Sequence, residues 1–160
     1  MTQQQFIHYV EGIQRELRRF LTALCCGDTA LADDLAQDTL VKAYLSCDNF
    51  REDSKFSTWI YRIAYNTFIS NHRSYRPADS LSEATAMESR HKADEPFRYQ
   101  GLYMALDKLS DKERTAILLY YIQGYTINEI SEITETSIDA IKAQLSRGRK
   151  HMKGLLEEEQ

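Results

Sequence analysis

Residues 109–150 read LSDKERTAILLYYIQGYTINEISEITETSIDAIKAQLSRGRK, and the punctuation of this stretch decides the fold. Ser110 stands three residues before Glu113, and Thr126 three before Glu129. Each pair predicts a capping box: the hydroxyl accepts from the N–H three residues on, and the carboxylate accepts from the cap's own N–H. The first box opens a helix that carries Ile117, Leu118, Tyr121 and Ile122 and ends at Gly124. The second opens a short helix with Ile127, Ile130 and Ile133 inside. A turn at Glu135-Thr136 leads to Ser137, a suitable N-cap for a long last helix. Two closely spaced helices, the second long and basic, form a helix-turn-helix pattern, here without the glycine common in its turn.

The last helix has two faces. Ile138, Ile141, Leu145, Gly148 and Met152 point inward at helical spacing. Gly148 costs about 1 kcal/mol of helix propensity relative to Ala, and its place on the buried stripe predicts a close approach of two helices. The outer face carries Asp139, Lys142, Ala143, Ser146, Arg147 and Lys150, flanked by Arg149 and Lys153. Such a face can neutralise phosphates, and its small residues let the helix approach base edges.

Upstream, residues 77–96 read PADSLSEATAMESRHKADEP. Both prolines of the chain bracket this polar stretch, in which only Leu81 and Met87 are sizeable apolar groups. It reads as a flexible linker, residues 77–98. Before it, three apolar stripes recur at helical spacing: Phe6 to Leu24, Leu31 to Ala43 and Phe56 to Thr67. Each is too narrow to stand alone and predicts a bundle. The expected fold is all-α: two small helical domains, 1–76 and 99–160, joined by the flexible linker, with the helix-turn-helix in the second.

The 160 residues carry a net charge of −4, so nucleic acid would have to meet local basic surfaces on an acidic body. No apolar run is long enough to span a bilayer, and the start lacks the marks of a signal peptide. A cytoplasmic protein is expected. Cys25, Cys26 and Cys47 are odd in number and read as reduced thiols. The four histidines are scattered, and none stands at metal spacing from a cysteine. No phosphate loop and no nucleophile-and-base arrangement occurs. A protein without catalysis, cofactor, metal or small-molecule substrate is expected.

The N-terminal half adds three features. Asp34, Gln37 and Asp38 share a polar helix face bordered by Asp33 and Lys42. The loop Asn49-Phe50-Arg51-Glu52-Asp53-Ser54-Lys55 mixes an aromatic ring with short polar groups, suited to hold one extruded base; the Phe50 ring can equally cap the bundle core. Arg62, Asn66 and Arg73 then follow along one helix face, with Tyr61, Tyr65 and His72 beside them. Such groups hold phosphate, read base edges and stack on unpaired bases, although Tyr61 and Tyr65 also fit as half-buried surface rings. Trp59 lies on the apolar stripe and reads as core.

DDLAQDT (33–39) and NFREDSKFSTWIYRIAYN (49–66) closely resemble the promoter-melting domain of extracytoplasmic-function sigma factors of bacterial RNA polymerase. Residues 109–150 resemble the same family's second DNA-binding domain, and the two matches occur in family order. The resemblance implies that Asp33, Asp34, Gln37 and Asp38 dock on the clamp helices of the largest subunit of core polymerase. It implies that Phe50, Arg51, Asp53, Ser54, Arg62, Asn66 and Arg73 recognise the minus-ten element and start its melting. It implies that Ser137, Lys142, Ala143, Ser146, Arg147, Arg149 and Lys150 sit at the minus-thirty-five element of promoter DNA, and that an anti-sigma factor is a further partner. Family members often carry Arg where this chain has Gln144 and Ala where it has Gly148, so the promoter sequence is not carried over. An autonomous helix-turn-helix regulator is the competing reading; it leaves residues 50–66 without a purpose. A sigma-factor mimic that avoids DNA would not need Arg62, Arg73, Lys142 or Arg147.

Overall fold

The computed structural model describes residues 1–51, 54–75 and 99–158, and among these it contains helices and no strand. Three helices build the N-terminal half: α1 (Gln3–Leu24), α2 (Thr29–Leu45) and α3 (Phe56–Tyr75). Thr2 and Gln5 form a capping box at the start of α1. The turn to α2 is sharp because Cys26 and Gly27 both take positive φ, 56° and 92°. Asp28 then caps α2 by accepting from the Leu31 N–H. Phe6, Leu17, Phe20, Leu21 and Leu24 of α1 are buried with Leu35, Thr39 and Ala43 of α2 and Ile60 and Ala64 of α3. A 3₁₀ turn (Cys47–Asn49) leads out of α2. Cys25, Cys26 and Cys47 are buried and form no disulfide.

The C-terminal half comprises α4 (Gln100–Asp107), α5 (Asp111–Ile117), α6 (Ile127–Thr134) and α7 (Ile138–Glu158). Both capping boxes form, at Ser110–Glu113 and Thr126–Glu129, and the Ser137 hydroxyl accepts from the Ala140 N–H at 3.2 Å. Glu135 ends α6 in the left-handed conformation, φ 54°; it fills the place where helix-turn-helix turns often use Gly. Gly148 is buried, and a Cβ there would stand 2.7 Å from Ile117 Cγ1. The close approach of α5 and α7 therefore depends on the missing methyl.

The regular α-helix does not continue to Gly124. The helix widens into a π turn at Leu118–Ile122, with the Gln123 N–H bonded to Leu118 O, five residues back, at 3.1 Å. The wider turn rotates Tyr121 and Ile122 off the buried stripe; they are 52% and 64% exposed.

The linker expected at residues 77–98 lies outside the described residues, and on either side of it the two helical halves pack so that their buried apolar side chains form one continuous cluster. Tyr61 of α3, expected at the surface, is 1% exposed. Its ring lies between Phe20 and Tyr125, centroids 5.1 and 5.3 Å away, and its hydroxyl donates to Gln123 Oε1 at 2.8 Å. Burial pushes the Tyr61 phenol far above its ordinary pKa and raises that of Tyr125 as well. Tyr65 is also buried. The buried Arg114 guanidinium donates to Leu106 O and Leu109 O within its own half and to Leu24 O at the end of α1. The Tyr103 ring covers Gly27, where a Cβ would meet it at 2.9 Å.

Candidate nucleic-acid and partner interfaces

The outer face of α2 is set by its inner one. With Leu35, Thr39 and Ala43 turned inward, Asp34, Gln37 and Asp38 must point out, and all three are exposed. Asp33 is exposed too but pairs with Arg18 of α1 at 2.9 Å. Lys42 leans away and donates to Thr67 Oγ1 at 3.3 Å. One helical turn past the carboxylates the same face carries Val41 and Leu45, 57% and 77% exposed. Sequence reading missed these two. The signal was available: α2 has apolar residues all round, and a half-exposed helix of that kind leaves an apolar face in need of a partner.

The loop after α2 is only partly as expected. Phe50 is half-buried; its ring packs on Trp59 and Phe56 at 5.1 and 5.8 Å, so it closes the aromatic end of the core. Trp59 is half-buried in the same cluster. Arg51 is exposed and Ser54 half-buried. Asp53 lies outside the described residues, as does the side chain of Arg73. On α3, Asn66 is exposed. Arg62 is engaged by the other half: its Nε donates to Glu132 O at 3.0 Å and stands 3.9 Å from a Glu135 carboxylate oxygen. The structure therefore does not bring Arg62 and Asn66 together on one open surface.

On α7, burial of Ile141, Leu145 and Gly148 leaves Ser137, Lys142, Ala143, Ser146, Arg147, Arg149 and Lys150 exposed, but Ile138, expected to point inward, is 43% exposed in the first turn of the helix. They are not equally available. Lys142 and Lys150 have no partner among the described residues. Arg149 donates to the Tyr121 hydroxyl at 3.0 Å, and Arg147 Nε lies 3.8 Å from a Glu113 oxygen. Gln144 is buried, at 6% exposure, and cannot reach DNA from there.

Glu113 links the fold to this face. Its carboxylate accepts from the Ser110 N–H and meets His151 Nδ1 at 3.3 Å. Burial works against its charged form, yet the Ser110 hydrogen bonds and His151 outweigh it and hold the pKa below the usual carboxylate range. A carboxyl depressed in the folded state stabilises the fold above its unfolded pKa, about 4.3. That contribution is lost as pH falls through the lower folded value. Acid should therefore weaken the C-terminal half, and Glu113→Gln should lose part of this dependence while keeping a side chain able to complete the box. The slope of calorimetric Tm against pH below 5 checks this; equal slopes for both proteins would contradict it.

Between the halves, α1, α4, the π turn and α7 enclose a groove of about 900 Å³. Its lining includes Leu102, Tyr121 and Ile122, with Arg15, Arg19 and Arg149 among the basic groups. Among the described residues no cluster of His, Cys, Asp and Glu could hold a metal ion, and no helix is long and apolar enough to cross a membrane.

Comparison with known proteins adds to this geometry. Residues 9–77 match the family Sigma-70 region 2, and residues 99–152 match Sigma-70, region 4. Over 142 residues the chain is 32% identical to the ECF RNA polymerase sigma factor SigW of Bacillus subtilis, covering 79% of this chain and 76% of that protein. Over 144 residues it is 31% identical to the ECF RNA polymerase sigma factor EcfG of Rhodopseudomonas palustris, covering 88% and 78%. Among solved structures it is similar to the sigma factor RpoE of Bartonella quintana in complex with the anti-sigma factor NepR: TM-score 0.78, 28% identity, covering 96% of this chain and 97% of that one. CnrH, solved with the cytosolic domain of CnrY, shares the fold at a TM-score of 0.73 and 24% identity.

Proposed function

This chain belongs to the extracytoplasmic-function sigma factors, and from that premise we propose how its side chains divide the work of directing RNA polymerase to promoters. The observation that carries the division is a pair of exposed faces of opposite character on opposite halves: acidic with an apolar end on α2, basic with small residues on α7.

The α2 face docks on core polymerase. Asp34, Gln37 and Asp38 meet basic groups of the largest-subunit clamp helices, and Val41 and Leu45 supply the apolar burial that holds the contact. Asp33 contributes less, because Arg18 already neutralises it. The α3 surface and the preceding loop capture the melted minus-ten strand: Asn66 reads a base edge, Arg62 holds phosphate, and Arg51 and Ser54 line the loop. Phe50 supports the loop from below. The domain limits 1–76 and 99–160 follow this division of labour.

The α7 face enters the major groove at the minus-thirty-five element. Lys142→Ala should weaken holoenzyme binding to promoter DNA. A phosphate contact flattens the salt slope by about one unit, and a base contact relaxes specificity at one position at a cost of about 1–3 kcal/mol. Arg147→Ala should cost less, since Glu113 already shares its charge. Filter binding across a salt series measures both; unchanged affinity and slope in the Lys142 variant would remove α7 from the groove.

Strand opening needs no covalent chemistry. The protein binds the extruded strand better than the duplex, and that difference offsets unstacking. This work takes place in the cytoplasm, where polymerase and promoters meet. The groove between the halves suits a regulatory partner, an acidic amphipathic helix of an anti-sigma factor, since basic groups line an apolar floor. The deciding experiment combines core polymerase, this protein and a genomic library in run-off transcription. Starts that depend on the protein are expected; their absence would defeat the division proposed here.

A further inference from the structure

We propose that α1 carries a second base-stacking site for the melted strand: the outer face of Tyr9, backed by Phe56, takes the unpaired base next to the one held in the loop. This rests on the reading of that loop as part of the strand-capturing surface.

The site grows out of the aromatic end of the core. Phe56, the first residue of α3, is 8% exposed. Phe6 of α1 and Phe50 of the loop meet its ring edge-on, at centroid distances of 6.1 and 5.8 Å. Tyr9 meets it differently. Its ring lies over Phe56 at 4.8 Å with 21° between the planes. A stacked ring covers its neighbour with one face and turns the other face away. Tyr9 is 47% exposed, so that other face is open. The result is a flat aromatic shelf on the surface, supported from beneath by a core residue.

Such a shelf suits a nucleobase. Aromatic rings hold unpaired bases by stacking, and every base offers a face for it. Phe56 already restrains the Tyr9 ring, so little side-chain freedom is lost when a base arrives. The position fits as well. Phe56 alone separates Tyr9 from Phe50, the ring that supports the loop. Arg51 follows Phe50 and is exposed; it can hold the phosphate between the two bases. Asn66 lies about 15 Å further along α3 at 1.5 Å per residue. The shelf therefore stands across the loop from Asn66 and takes a different base.

The native protein provides the first test. 5-Iodouracil cross-links under ultraviolet light to an aromatic ring stacked on it. It is placed at one position after another of a mapped non-template strand, on templates already unpaired across the minus-ten element. In the holoenzyme complex, mass spectrometry should find an adduct on Tyr9 from one position. The absence of a Tyr9 adduct at every position would overturn the proposal.

The second test removes the partners instead. Tyr9→Ala should reduce open complexes about 5- to 150-fold, the worth of one stacked base. Tyr9→Phe keeps the ring and should open at the wild-type level. Templates carrying a single abasic site then locate the contact. At one position the difference between wild type and Tyr9→Ala should vanish, because no base is left to stack. That position should differ from the one that does the same for Asn66→Ala. A Tyr9→Ala defect of equal size at every abasic position would mark a structural role and overturn the site. So would wild-type opening by Tyr9→Ala. The loop variant Arg51→Ala with Ser54→Ala separates the two failures: if it loses opening, only the shelf fails; if it opens normally, the reading of the loop fails with it.

Discussion

Replacing both Asp34 and Asp38 with Lys should abolish association with core polymerase while leaving the fold intact. Both carboxylates are exposed and make no hydrogen bond or ion pair among the described residues, so the bundle loses nothing when they change. At an interface, removing one member of a desolvated charge pair costs about 2–5 kcal/mol, and reversal adds repulsion. Two such changes weaken binding by about a thousandfold or more. Core pull-down with circular dichroism on the same preparations measures the effect. Retained binding with unchanged helicity would exclude this face. Asp33→Ala should be milder, because Asp33 is paired with Arg18.

The second large effect falls on melting. Asn66→Ala, and Arg51→Ala with Ser54→Ala in the loop, should spare core binding and closed-complex formation and reduce open complexes. Phe50 is the wrong probe: its ring packs on Phe56 and Trp59, and its removal would disturb the core. Asn66 is exposed on α3. A base-edge contact is worth about 1–3 kcal/mol, so each lost contact should reduce opening by about 5- to 150-fold. These groups are proposed to touch only the unpaired strand, and their binding energy arises only after the duplex opens. On a template already unpaired across the minus-ten element most of the defect should vanish, leaving what the lost contact itself costs. Permanganate reactivity of thymines on both templates reads this out. Wild-type opening by both variants would show that another surface captures the strand.

The local features of this fold were legible in the sequence, and the distant ones were not. A capping box needs only residues three apart, which is why Ser110–Glu113 and Thr126–Glu129 formed as read. Gly148 announced itself because a glycine on a buried helical stripe has few other uses. The two faces of α7 follow from the same period. Tyr121 and Ile122 escaped because the stripe assumes 3.6 residues per turn, and a π turn breaks that count. The packing of the halves left no periodic trace. Its hydrogen bonds join Tyr61 to Gln123 and Arg114 to Leu24, 62 and 90 positions apart. Nothing around Tyr61 distinguishes a ring that stacks on a base from one that plugs a core. For the docking face, charge spacing offered the carboxylates, but only exposure singled out Val41 and Leu45.

Arg114 carries a thermodynamic consequence. Its guanidinium satisfies carbonyls at the ends of α4 and α1 at once, and it is buried at the seam. Should either half melt alone, the hydrogen bond to Leu24 O would be lost as the seam opens to water, at the cost of one charge-assisted hydrogen bond, about 1.5–3 kcal/mol. Partial melting is thereby disfavoured, and the two packed halves of the chain behave as one cooperative unit. A substitution deep in the N-terminal bundle is then felt as lower heat resistance in the helix-turn-helix, though the two lie on opposite sides of the linker.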